Sequence, residues 1–287
     1  MQGFKLYTLL LLFIFSSCDT INPEEEIPAY LEILPFTYTS SDGSTSQQIT
    51  DGWIYVGGEY LGAFDLPKTI PVLMSGNQDI IIDPGIKENG INSFPNIYPF
   101  YKRFSGSIDL VPGETVSIQP DTRYDDDFIH IIFNEDFNGS EFNRFDEEDI
   151  VNDDNDVKEG TRSGLIQLDA TTKPTVSLRG EALNVFPTQG DIGYLEMDYK
   201  SELTIFVGVI GFDATGNQTF SEFTYGLKPK EEWNKVYFNY TELFSLLRQQ
   251  NTVSYQIQIG MQIPIENGEF IMENAEVHLD NIKLITF

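Results

Sequence analysis

Apolar and polar positions alternate along much of the chain, most cleanly in Val253-Ser254-Tyr255-Gln256-Ile257-Gln258-Ile259. A period of two belongs to a strand with one face buried and one face wet. Strand-like runs recur at 128–133, 164–168, 175–178, 193–199, 203–212, 219–225, 235–240, 253–263 and 277–287. One stretch, 241–250, keeps helical spacing instead, with Thr241 as N-cap and Leu243, Phe244, Leu246 and Leu247 on one face. Eight or so strands with one short helix predict a jelly roll over 128–287.

Ahead of it, 29–120 reads as shorter strands cut by turn chemistry. Tyr30 to Leu34 opens, and Gly57-Gly58 makes a tight turn between Trp53 to Val56 and Tyr60 to Phe64. Ser75-Gly76-Asn77, set between the apolar runs 70–74 and 79–83, reads as a second hairpin. The prediction is a small antiparallel β-sandwich, joined through an acidic linker at 121–127 to the jelly roll, and an all-β fold class.

Charge then narrows the function. The 45 acidic residues against 17 Lys and Arg leave a net charge of −28, which repels phosphate backbones and excludes nucleic acid as a partner. The acids crowd into 121–159, where only Arg123, Arg144 and Lys158 oppose fifteen of them, and 141–159 is expected as an exposed loop. A lone cysteine, Cys18, excludes an internal disulfide, a cysteine zinc cluster and an iron–sulfur cluster.

That cysteine sits where a lipid would go. Lys5, the apolar run 6–15 and Ser16-Ser17-Cys18 read as a secretory signal over 1–17, and Ser17-Cys18 resembles the bacterial lipobox. The resemblance implies that Cys18 is acylated, palmitate included, and anchors the protein in a membrane. Residues 18–28 form an acidic tether whose Asp19, Glu24, Glu25 and Glu26 resemble the export signal of surface lipoproteins of Bacteroidota, implying the outer face of the outer membrane. Asp19-Thr20-Ile21 also resembles the O-glycosylation triplet of those bacteria. No later stretch approaches a transmembrane helix.

Two further resemblances concern fold. Trp53 to Gly62, then Pro67, then Gly76 to Ile82 resemble PEGA-like or immunoglobulin-like extracytoplasmic modules. Glu135-Asp136-Phe137-Asn138, Trp233 to Thr241, and the ending His278-Leu279-Asp280-Asn281-Ile282-Lys283-Leu284 resemble the galactose-binding-domain-like jelly rolls of carbohydrate-binding modules. That second resemblance implies a structural calcium, with Glu135 or Asp136 and Asp280 supplying hard oxygen ligands. The acidic run 152–160 lacks the glycine at position 6 and the glutamate at position 12 of an EF-hand loop and reads as solvated.

No nucleophile elbow, HExxH or phosphate-binding glycine loop is present, and His130 and His278 lie in strand-like runs, so the chain is expected not to be an enzyme. Trp233 is expected in a packing role. The expected function is that of an interaction subunit on an outer-membrane β-barrel assembly, with a glycan-binding lipoprotein of a polysaccharide-uptake system as the alternative. An exposed aromatic row beside polar side chains on the jelly roll favours glycan, and a broad apolar patch facing the other sandwich favours a protein partner.

Overall fold

The computed structural model describes residues 25–40, 44–139, 144–145, 149–187, 190 and 192–287. Cys18, Asp19 and Glu24 lie outside the described residues, whereas Glu25 and Glu26 are exposed. Among the described residues no helix is long and apolar enough to cross a membrane.

The N-terminal sandwich sets a three-stranded sheet against a five-stranded one. The first joins β1 (Ala29–Ile33), β5 (Lys68–Val72) and β9 (Thr115–Ile118) in the order β5-β1-β9. The second is built on β3 (Asp51–Val56), β4 (Glu59–Asp65) and the twelve-residue β6 (Gly76–Lys87), which pairs at its far edge with β8 (Phe104–Leu110) and β7 (Pro95–Ile97). Ala29, Leu31 and Ile33 point inward at every second position of β1 and meet Ile54, Val56, Ile80 and Ile82 from the facing sheet.

Three expectations fail here. The Ser75-Gly76-Asn77 segment is not a hairpin: β5 pairs with β1 and β6 with β3 and β8, so the segment carries the chain from one sheet to the other. Nor is the sandwich purely antiparallel, since β1 runs parallel to β9, and β2 (Thr37–Tyr38) runs parallel to β10 (Asp121–Thr122). Residues 121–127, read as a linker, carry β10 and seat a buried Tyr124 against Tyr101.

The jelly roll packs a six-stranded sheet on a four-stranded one. The six-stranded sheet runs β12-β13-β22-β15-β18: β12 is Val151–Asp153, β13 Ser163–Asp169, β22 Asn274–Thr286, β15 Gly193–Ser201 and β18 Lys230–Asn239. β11 (His130–Glu135) pairs with the second half of β22. The four-stranded sheet runs β14-β19-β16-β17: β14 is Thr175–Arg179, β19 Ser254–Gln262, β16 Ile205–Phe212 and β17 Gln218–Leu227. A small hairpin of β20 (Ile265–Glu266) and β21 (Glu269–Phe270) follows β19.

α1 (Thr241–Gln249) buries Leu243, Phe244 and Leu247 but leaves Leu246 exposed. Its N-cap is Tyr240, not Thr241. The Thr241 hydroxyl is turned to the sheet, where it accepts the Gly193 N–H (3.2 Å), and Asn239 Oδ1 takes the Thr241 N–H (3.1 Å).

Candidate functional site

The outer face of the β14-β19-β16-β17 sheet follows from the alternation of its strands. Ile205, Val207 and Val209 of β16 enter the core, which turns Phe206 and Gly208 outward. On β19 the core takes Tyr255, Ile257, Ile259 and Met261, leaving Gln256, Gln258, Gly260 and Gln262 on the outer side. β14 contributes Thr175, Ser177 and Arg179, all exposed. Register then assembles two rows across the four strands: Ser177, Gly260, Phe206 and Gly226 in one, and Arg179, Gln258, Gly208 and Phe223 in the next.

Glycine makes this face flat. A Cβ at Gly260 would stand 2.5 Å from Phe223 Cζ, and one at Gly226 would stand 3.3 Å from Phe206 Cε1, so Phe206 lies over bare backbone on the adjacent β17 and Phe223 reaches across β16 to bare backbone on β19. At Gly208 a Cβ would fall 1.9 Å from the Glu222 carbonyl oxygen, which a register shift brings over the strand. The Gln258 side-chain amide secures that bulge by donating to the Val209 and Glu222 carbonyls, at 3.1 and 3.0 Å. The two phenyl rings, 6.3 Å apart, keep 44% and 43% of their residue surface open to solvent. Exposed Gln262, Ser177 and Arg179 border them.

Past Gly226 this face drops into a cleft of about 860 Å³ between the two sandwiches. Lys87, Asn89 and Asn92 line it from one side, and Lys228, Lys230 and Asn234 from the other. Lys87 is held by Asp51 (2.9 Å) and Asp65 (2.7 Å), whereas Lys228 and Lys230 are exposed and make no ion pair among the described residues.

Behind the cleft the sandwiches are joined by a buried polar cluster. Glu196 Oε1 accepts the hydroxyls of Tyr98 and Tyr124, and its other oxygen lies 3.0 Å from Lys235 Nζ. Tyr237 accepts the Gln48 N–H (2.9 Å), and Ser46 donates to Asp198. Burial pulls the Lys235 ammonium down, but the Glu196 and Asp198 carboxylates outweigh it and hold its pKa above the ordinary range. Burial likewise pushes the Tyr98 and Tyr124 phenols up, so they stay neutral donors to Glu196. The face on which an apolar docking patch was one expected signature is therefore filled by the chain itself: Tyr194, Tyr237 and Ile285 of the jelly roll belong to the N-terminal core.

The three carboxylates expected around calcium answer to other partners. Glu135 accepts the Phe137 N–H (2.7 Å) and the Arg144 N–H, Asp136 accepts Asn138 N–H (3.1 Å), and Asp280 accepts Glu159 N–H (3.1 Å) and Asn281 N–H (2.8 Å). Among the described residues no three His, Cys, Asp or Glu side chains converge as metal ligands would. Burial pushes Asp280 up to about 7 against those two N–H donors, with the Asp198 charge adding to the rise.

The run 152–160, expected to be solvated, is instead tied down. Asp153 is buried, Asp156 takes Lys200 and the Trp233 indole N–H (2.8 Å), and Glu159 takes Ser44 and Thr45 of the N-terminal sandwich. Trp233 is half-buried beside His278, with ring centroids 6.1 Å apart, and forms no platform, while His130 is exposed.

No family model matches the sequence, and the search of curated proteins returned no match. Solved structures similar to the chain include the CBM22-1 xylan-binding domain of Xyn10C from Paenibacillus barcinonensis, at 11% identity and a TM-score of 0.37, covering 55% of this chain and 94% of that one. The C-terminal family 22 carbohydrate-binding module of Xyn10B from Clostridium thermocellum is similar at 14% identity and a TM-score of 0.37, over 54% of this chain and 91% of that one. A structure described under the promiscuous specificity of carbohydrate-binding modules of the β-sandwich superfamily is similar at 12% identity and a TM-score of 0.37, covering 91% and 99%. The jelly-roll assignment stands on the strand order and register of the chain itself.

Proposed function

We propose that this chain is a glycan-binding protein displayed at a cell surface, with Cys18 as its lipid anchor and the Phe206–Phe223 face as its binding surface. The observation that carries the reading is the pair of half-exposed phenyl rings laid over Gly226 and Gly260 beside amide and hydroxyl side chains. A sugar ring has an apolar C–H face and a rim of hydroxyls. Phenyl rings cover the first, and Gln262, Ser177 and Arg179 are placed to meet the second. Two neighbouring phenylalanines on the wet side of a sheet are also hard to explain by folding alone, since burying each fully is worth about 1.5–3 kcal/mol.

The test is isothermal titration of oligosaccharides into the full chain in detergent. Phe206→Ala and Phe223→Ala are each expected to weaken binding roughly tenfold, about 1.4 kcal/mol. Neither ring belongs to the buried core, so both variants should keep the wild-type circular dichroism spectrum. Unchanged affinity in both variants would remove the platform. The anchor is tested separately: Cys18→Ala should move the protein to the soluble fraction, and a variant that stays with membranes through a carbonate wash overturns the anchoring.

A further inference from the structure

The phenylalanine face does not end at the sheet edge. Phe206 lies over Gly226, and Gly226 also lines the cleft that holds Lys228 and Lys230. Lys228 follows Gly226 by two residues, just past the end of β17, and lines the same cleft as Gly226 and Lys230. At the opposite edge, on β14, stands exposed Arg179, which makes no ion pair among the described residues. Three strand spacings, roughly 14 Å, separate β14 from β17. A chain carrying 45 acidic side chains thus puts cations without an ion-pair partner among the described residues at both ends of this aromatic and glycine-floored face.

We propose, resting on the glycan reading of this face, that its ligand is an anionic oligosaccharide, bearing uronate carboxylates or sulfate groups. Sugar rings stack on Phe223 and Phe206, and the acidic groups are read by Lys228 and Lys230 in the cleft and by Arg179 at the far edge. Glu231 and Glu232 follow Lys230 directly, and the whole molecule is strongly negative, so the field at long range repels such a ligand. Recognition is therefore short-ranged: a polyanion is held only once its rings sit on the phenylalanines, within about one Debye length of the cations. This arrangement rejects polyanions that cannot stack and selects glycans that carry both features.

The experiment is an array of neutral, uronate-bearing and sulfated oligosaccharides probed with the full chain in detergent at 0.15 M salt, followed by titration of the hits. The comparison set is wild type, Lys228→Gln/Lys230→Gln and Phe206→Ala. Acidic glycans should bind, the double lysine variant should weaken them about tenfold, and Phe206→Ala should weaken every hit. Hits confined to neutral glycans and sensitive to Phe206→Ala overturn the anionic class and leave the platform standing. Acidic hits that the lysine variant leaves unchanged also overturn it. A blank array, or hits indifferent to Phe206→Ala, overturns both this proposal and the platform beneath it.

Discussion

Asp280 and Asp198 stand opposite each other where β22 pairs with β15, and both are fully buried. Asp198 Oδ1 has no hydrogen-bond partner among the described residues, and burial pushes Asp280 up to about 7, so below neutrality Asp280 holds a proton. Because the folded value lies above the unfolded one of about 3.9, the folded state holds this proton more tightly. Its stabilising effect is fully present below pH 4 and is lost as pH rises to 7 and beyond. Thermal melts should therefore show stability falling across pH 4–7.5, against the usual trend for an acidic protein, and Asp280→Asn should flatten that slope. An identical slope in the variant would assign the effect elsewhere. Lys235 poses a sharper case: Lys235→Met leaves Glu196 and Asp198 buried without their cation, and urea denaturation should register a loss of about 3–5 kcal/mol. None of these partners was legible in the sequence. Asp280 was singled out by the closing motif, but Glu196, Asp198 and Lys235 are ordinary charges within strand runs, and only the apposition of two sandwiches buries them.

At the scale of elements, alternation located the strands well because it reports which side of a strand is buried. It does not report the neighbour. The 70–74 and 79–83 runs were rightly apolar, yet they belong to different sheets, and Gly76 (φ 74°) turns the chain across the sandwich and not back on itself. The Phe206–Phe223 face was legible in part: Ile205, Val207 and Val209 fix the inward phase, so Phe206 falls on the outward phase between them. Phe223 was not legible, because the shift between Val207 and Gly208 breaks its phase relative to Tyr225. Gly208 is the hinge of that arrangement. Any side chain there meets the Glu222 carbonyl and the Phe223 backbone, so Gly208→Ala must push β17 away from β16. Calorimetry should show a loss of about 1–3 kcal/mol, the range of an overpacked site, and glycan affinity should fall with it as the Phe223 ring is displaced. Full stability in Gly208→Ala would mean that the bulge yields without cost.

For the molecule as a whole, the question is whether two sandwiches behave as one folding unit. Their contact is not a polar rim alone. Tyr98 is fully buried, its ring centroid 4.7 Å from Tyr101, 5.2 Å from Tyr194 and 4.8 Å from Tyr237, while its hydroxyl reaches Glu196. Glu88 accepts from Tyr194 and Asn239, and Glu159 from Ser44 and Thr45, so hydrogen bonds cross the junction at either side of this cluster. With an apolar core piece on both sides of the junction, and with Glu196 taking Tyr98 and Tyr124 and Asp198 taking Ser46 from the opposite sandwich, separating the two exposes Glu196 and Lys235 along with the tyrosines. The cleft and its lysines keep a fixed relation to the phenylalanine face for the same reason. Scanning calorimetry of the wild type should accordingly give one cooperative transition, with calorimetric and van't Hoff enthalpies equal. Tyr98→Ala removes the central ring and one donor to Glu196, leaving a cavity worth about 3–5 kcal/mol, and should split the transition in two as the sandwiches uncouple. Two separate transitions in the wild type would show that the junction is too weak to hold the cleft in place.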